Sequence, residues 1–437
     1  MSLPRGAQSL AVVAVTALVM VVGALSSVSA MAAALIGVCA VGAGLALRFR
    51  GAVLVVVLAS AYGVQRLGPT SANLSVADAV LVIGTLAAAP FAPWGSRRLR
   101  QLLWTVAGYQ AMLAVVVLAH PSARAAAEWG HRILLVAGAV LVGAALARTG
   151  RITTALRIFV VVSALVSVAA VSYTLARHLS PAYPFGIQKN AVGLVLAFGF
   201  LTSMVAPRWV SIPSRFLNPL RIVIVVGLLA TQSRGAMLAT VAVLAVLQVR
   251  SRHSRRGVAL VIVATLAMGG VTLAVTQVQN KGYKANPGSA QFSGLGARVV
   301  TYKQALTIWS SDKLLGAGLR YFRDLSFNTT EPHDVAIEAL AESGVVGVVA
   351  LGVLLTGAWL ALRRMDGELA TLARCALWLH FLASLFDIYW VAGRASFPWI
   401  LVGMALGAYG VERARPPKPP VATVGTNGIG RAARVSV

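Results

Sequence analysis

Acidic residues are scarce in this chain: 12 Asp and Glu among 437 residues, against 38 Lys and Arg. Only 11% of the residues are charged, well under the about 25% usual in soluble domains, which excludes a soluble globular protein. Cysteine is almost missing. Cys39 and Cys375 both fall in apolar runs, so neither a disulfide framework nor a zinc site is indicated. No Asp-x-Asp pair occurs, no His/Cys/Asp group has ligand spacing, and the turn near Ser26 to Ser29 has no carboxylate. Metal-assisted chemistry therefore has no visible ligands, and no cofactor is implied. An internal repeat of the kind that marks many transporters is absent as well.

What the chain has is hydrophobic length. Hydrophobic residues make up 58% of it and the mean hydropathy is +0.81. A membrane helix needs about 20 apolar residues, and such runs recur. They predict an all-α polytopic helical bundle of about 12–14 spans. The span cores are expected at 9–26, 28–47, 51–65, 75–92, 101–119, 132–147, 157–176, 190–206, 216–232, 235–249, 257–276, 334–362, 369–388 and 396–412. The first is read as a span, since Arg5 alone precedes it and no small-residue cleavage site leads into a soluble domain.

The net charge of +26 would suit a nucleic-acid binder, but the arginines sit in short connectors. Clusters at Arg48/Arg50, Arg97/Arg98/Arg100, Arg148/Arg151/Arg157, Arg208/Arg215/Arg221, Arg250/Arg252/Arg255/Arg256, Arg363/Arg364 and Arg413/Arg415/Lys418 each follow an even-numbered span. With both termini cytoplasmic, every cluster obeys the positive-inside rule, and no nucleic acid is needed. Membrane domain 1–412 is then followed by a proline-containing, disordered cytoplasmic tail, 413–437. Arg221 is expected to snorkel from a helix that begins near Phe216.

The same topology puts one long polar stretch, 276–333, outside. It carries Lys281, Lys284, Arg298, Lys303, Lys313, Arg320 and Arg323 against Asp312, Asp324 and Glu331, and so suits an anionic, lipid-borne substrate. Within it Val299, Tyr302, Leu306 and Trp309 share a face at helical spacing, predicting an interfacial helix over 297–310. Three further features stand out. Arg234 lies in the outer turn Thr231–Ala236, against the topology rule; Ser233 can cap the next helix and Gly235 can reverse the chain. His333 opens a span, followed by Asp334. Glu338 and Glu342 lie one turn apart in that span, where unpaired charge is costly; they are placed to pair with loop arginines or to orient His333. Gly344 and Gly347 suit close helix packing. The other histidines read as bland: His120, His131 and His178 solvated, His253 in a basic cluster, His380 packed.

The order Ser233-Arg234-Gly235, then Arg298 with Ala305 and Trp309, then Gly316-Ala317-Gly318-Leu319, then His333-Asp334 leading to Glu342-x-Gly344-x-x-Gly347, resembles the O-antigen ligase/O-antigen polymerase family. The likeness covers roughly 185–362. It departs at Asp334, where the family more often has Asn, and in span number, which in the ligases is typically a dozen. The resemblance implies a bacterial inner-membrane glycosyltransferase of polysaccharide and cell-envelope biosynthesis. Such an enzyme moves a glycan from a polyprenyl-pyrophosphate donor to an acceptor hydroxyl on the outer face, without a metal and with inversion. By that likeness His333 is the catalytic base or substrate anchor, and Arg234 and Arg298 clamp the pyrophosphate, whose oxygens match a guanidinium fork. Lys189, Asn190, Arg320, Asp334, Glu338 and Glu342 are expected in substrate binding. The partners are the lipid-linked donor, a glycan or lipid acceptor, and membrane lipids.

Competing readings are a polymerase extending lipid-linked repeat units, a flippase or transporter for the lipid-linked glycan, and a structural scaffold. Scarce charge in span centres speaks against transport, and the basic loop against a scaffold.

Overall fold

The computed structural model describes residues 49–64, 75–91, 96–251, 270, 295–323, 331–388, 390–391 and 393–414. Three expected spans (9–26, 28–47 and 257–276), the first part of the long loop and nearly all of the 413–437 tail lie outside these residues. Among the described residues the secondary structure is helical, with no strand. The helices are α1 (Arg50–Ala59), α2 (Val76–Ala88), α3 (Arg97–Ala119), α4 (Ala123–Arg148), α5 (Ile152–Ala176), α6 (Lys189–Val205), α7 (Ser214–Thr231), α8 (Arg234–Ser251), α9 (Leu295–Ser311), α10 (Val335–Leu362), α11 (Glu368–Ser384) and α12 (Ser396–Ala414). Each of the eleven remaining expected spans falls on one helix, and α9 is the expected loop helix. α3, α4, α5, α7 and α10 are long and apolar enough to cross a membrane, while α1, α2, α6, α8 and α12 are shorter apolar helices. The protein is a multi-pass, all-α membrane protein.

Small residues set the closest crossing. A Cβ on Gly143 of α4 would strike the Ile400 carbonyl of α12, and one on Gly403 would strike the Val140 carbonyl. Backbones can meet there because nothing stands between them, and in lipid such contact drives association. Beside it Phe397 packs on Phe159 and Phe198, with ring centroids 4.5 and 4.7 Å apart, and the Tyr62 hydroxyl donates to Ser163 Oγ at 2.9 Å. α10 packs on α3 and α9, α7 on α5 and α6, and α8 on α11. α7 begins at Ser214, near the expected Phe216. Arg221 does not reach outward: its guanidinium donates to the Ser203 carbonyl of α6 and to Asn218, a helix-end carbonyl being a better partner than a distant interface.

Candidate functional site

The turn from α7 to α8 reverses at Gln232, which takes the left-handed conformation (φ 53°). The glycine expected to make this reversal serves another purpose. A Cβ on Gly235 would lie 2.9 Å from Phe386 Cβ, so its absence lets α8 start against the end of α11. Ser233 N–H reaches Thr231 Oγ1 at 3.3 Å. Arg234 is thereby set at the first position of α8, facing a cavity of about 370 Å³. Lys189 and Asn190 at the start of α6, Arg298 of α9, and Asp387 and Arg394 between α11 and α12 share its wall.

Arg298 is fixed from its own side, Nη2 donating to the Phe386 carbonyl at 3.1 Å. α9 follows the expected helix and packs on α10. Thr301 and Ala305 are buried, and Val299 and Leu306 are exposed. Ala305 packs with Phe322 of the loop and Ala341 of α10, so small residues, not the larger apolar ones, form the contact. Trp309 bonds the Lys313 carbonyl at 3.0 Å.

His333 stands at the mouth of α10. Asp334 is its N-cap: Oδ1 accepts from Ala336 N–H at 2.9 Å and Ile337 N–H at 3.1 Å. Asn caps a helix in the same way, so the departure from the family residue keeps this local bond pattern. His333 Nδ1 lies 3.4 Å from Asp387 Oδ1, and the other oxygen of Asp387 accepts from Arg394 Nη1. Burial alone would raise the Asp387 carboxyl, but the Arg394 guanidinium and the bond to His333 hold it below the ordinary carboxylate range. Tyr302 OH approaches the His333 carbonyl at 3.5 Å; its phenol is raised by burial and by Asp334, with Arg298 opposing.

The two glycine motifs form one device. α10 is broken at Gly344, whose φ of 61° and ψ of −158° leave the helix. The segment Lys313–Gly318 fills the break: Ala317 and Gly318 N–H donate to the Ala341 and Glu342 carbonyls at 2.9 Å, and Val345 and Val346 N–H to the Lys313 and Leu314 carbonyls at 3.0 and 3.2 Å. The four bonds satisfy the backbone groups that the break exposes. A Cβ on Gly344 would strike the Leu314 carbonyl, so this glycine seats the loop rather than a neighbouring helix.

Behind this device lies a buried charge cluster. Glu128 of α4 pairs with Arg132 at 2.9 Å and with Arg320 of the loop at 2.7 Å, and Arg132 reaches Glu342 at 3.6 Å. His131 pairs with Asp78 of α2 at 2.7 Å, and Arg323 holds Glu331 with bonds of 2.7–3.1 Å. Glu338 is 4% exposed, within reach of the charges of Arg132 and Arg323. His131 is thus buried and paired, not solvated as its position between apolar runs suggested. His120 faces Asp312 at 3.7 Å, and His380 is packed as expected, 0% exposed beside Phe198.

Of the nine residues singled out in the sequence, the fold brings Lys189, Asn190, Arg234 and Arg298 to one cavity, with His333 joined to its wall through Asp387. Arg320, Glu338 and Glu342 belong to the buried cluster, and Asp334 turns to its own helix. Asp387 and Arg394 were not foreseen. Their signal was available: Asp387 is a carboxylate inside the expected span 369–388, where ionisable groups are expensive and usually have a purpose.

The O-antigen ligase family model matches residues 220–352, which contain Arg234, Arg298, His333 and the Gly344–Gly347 motif. The resemblance drawn from those motifs is borne out over that stretch. No curated protein matches the chain.

Proposed function

We propose that the protein transfers a glycan from a polyprenyl-pyrophosphate donor to an acceptor hydroxyl at the outer face of a bacterial inner membrane, in the manner of an O-antigen ligase. The observation that carries this reading is the convergence of Lys189, Arg234 and Arg298, from three separate helices, on one cavity whose only described carboxylate is Asp387. Three cations there suit a pyrophosphate, which gains negative charge as the sugar–oxygen bond breaks. Two guanidinium forks match its oxygens in place of a metal ion. Asp387, accepting from His333 Nδ1–H, leaves Nε2 as the proton acceptor. The acceptor oxygen then attacks the anomeric carbon from the side opposite the leaving group, its proton passes to His333, and the configuration inverts. Lys189 and Asn190 hold the donor. Arg320, Glu338 and Glu342 support the site from behind, and Asp334 sets the start of α10.

In this reading residues 1–412 form one membrane domain with a cytoplasmic tail, both termini cytoplasmic, and 276–333 outside. Purified protein incubated with polyprenyl-pyrophosphate-linked glycan and candidate acceptors tests the activity; release of polyprenyl pyrophosphate with a new glycosidic bond is expected, and donor left intact with every acceptor contradicts it. Lys303→Cys in a background free of Cys39 and Cys375 tests sidedness. Labelling by an impermeant reagent on intact cells is expected, and protection would move the cavity to the inner face.

A further inference from the structure

A second cavity, about 450 Å³, adjoins the first and is within the size range of small-molecule sites. Ile388 and Arg394 line both, so the two are separated by one strip of chain. The chemistry of their walls differs. The second is lined by Asp78, His131, Gln188, Arg323, Trp390 and Arg394, among others. Each of its cationic groups already has a carboxylate: His131 has Asp78, Arg323 has Glu331, and Arg394 has Asp387. A wall so balanced does not call for a charged ligand. What it offers is a dense set of hydrogen-bonding groups beside an indole. Trp390 is held in place, stacked on Tyr109 at 6.0 Å and under the Arg132 guanidinium at 4.9 Å, and with only 4% of it exposed it closes the cavity as a fixed floor rather than offering an open ring face. Gln188, at the exposed end of α6, has both an amide donor and an amide acceptor. It follows a turn strained at Phe185, with φ of 56°, and strained backbone persists where the surrounding structure enforces it, often at binding sites.

We infer that this second cavity is a subsite for an uncharged sugar, its hydroxyls met by the polar groups around Gln188 above the closed floor that Trp390 forms, while the pyrophosphate occupies the first cavity. The inference rests on the glycan-transfer reading above. Hydroxyl-rich chemistry can come from two sources, the sugar carried by the donor or the sugar of the acceptor, and either would lie one wall away from the phosphates.

The test uses the full chain in lipid nanodiscs and three probes: bare polyprenyl pyrophosphate, polyprenyl-pyrophosphate-linked hexose, and an alkyl glucoside. Gln188→Trp and Val391→Trp fill the cavity from two sides; Gln188→Ala removes only the amide. The wild type is expected to bind the hexose-linked carrier about ten-fold more tightly than the bare one. Both Trp variants should abolish that preference without changing binding of the bare carrier, and Gln188→Ala should reduce it about three-fold. Loss of alkyl glucoside binding alone would assign the subsite to the acceptor sugar. Equal weakening of all three probes, or no effect on either sugar probe, would overturn the inference. Failure of the wild type to bind the bare carrier, with sugar binding still lost in the Trp variants, would overturn the proposed function and leave the subsite standing.

Discussion

Two groups of charges lie near one another at the same end of this bundle and differ in kind. In the first cavity Lys189, Arg234 and Arg298 come from helix starts, line an open space and outnumber the carboxylate beside them. Behind it Glu128, Arg132, Arg320 and Glu342 are almost fully buried and pair with one another as opposite charges. An excess of one sign beside a cavity is an arrangement for a ligand of the other sign. A closed set of opposite charges is an arrangement for fixing geometry, here that of α4, α10 and the loop Lys313–Arg323. Breaking the first should cost activity and spare the fold; breaking the second should do the reverse.

The largest effect is expected from His333→Ala. It should lower turnover about 10²–10⁴-fold, the usual contribution of a general base, with donor affinity and thermal unfolding unchanged. Normal turnover in that variant would remove His333 from the chemistry. Arg132→Met probes the other region. Leaving Glu128 and Glu342 without their partner should destabilise by about 3–5 kcal/mol, read as a fall in melting temperature in the absence of any substrate. A stable variant lacking only activity would erase the distinction drawn here.

Arg234→Lys and Arg298→Lys keep the charge and lose the fork. Donor binding and turnover should fall together by about ten-fold, more for Ala than for Lys at each site, with yield and melting temperature as in the wild type. Gly344→Ala sharpens the boundary between the regions. Strain at positive φ costs about 1–3 kcal/mol, and the new methyl group meets the Leu314 carbonyl, so the loop Lys313–Gly318 should become more open to protease. The smallest expected effect is that of a chelator. On the proposed arginine clamp, EDTA should leave glycan transfer intact, and activity restored only by magnesium or manganese would refute that clamp.

The helices were legible because lipid leaves few choices: each run of about 20 apolar residues must satisfy its own backbone. Eleven expected spans accordingly fall on helices, with ends shifted by up to nine residues, most at α4, which begins at Ala123 and not at 132. Arg234 and His333 were legible because charge at a span junction departs from the background. Helical spacing put Val299 and Leu306 on one face of α9, but it could not say which residues meet the bundle. There the neighbour is the tightly packed loop around Phe322, which admits Ala305 and not Leu306. His131 could not be assigned from sequence, since its partner Asp78 lies 53 residues away.

The sequence by itself determined that this chain is a bundle of apolar helices with its basic connectors in a consistent alternation, and that motifs resembling those of the O-antigen ligases fall in one order along roughly 185–362. Periodicity, length and charge are local properties, and each can be read from neighbours in the chain. Only the tertiary structure decided which charges face a cavity and which face one another. It joined Asp387 and Arg394 to His333, and it turned two glycine motifs into a single broken helix with a loop laid through the break. These are matters of distance between residues far apart in sequence, and the close crossings that fix those distances depend on how whole helices pack.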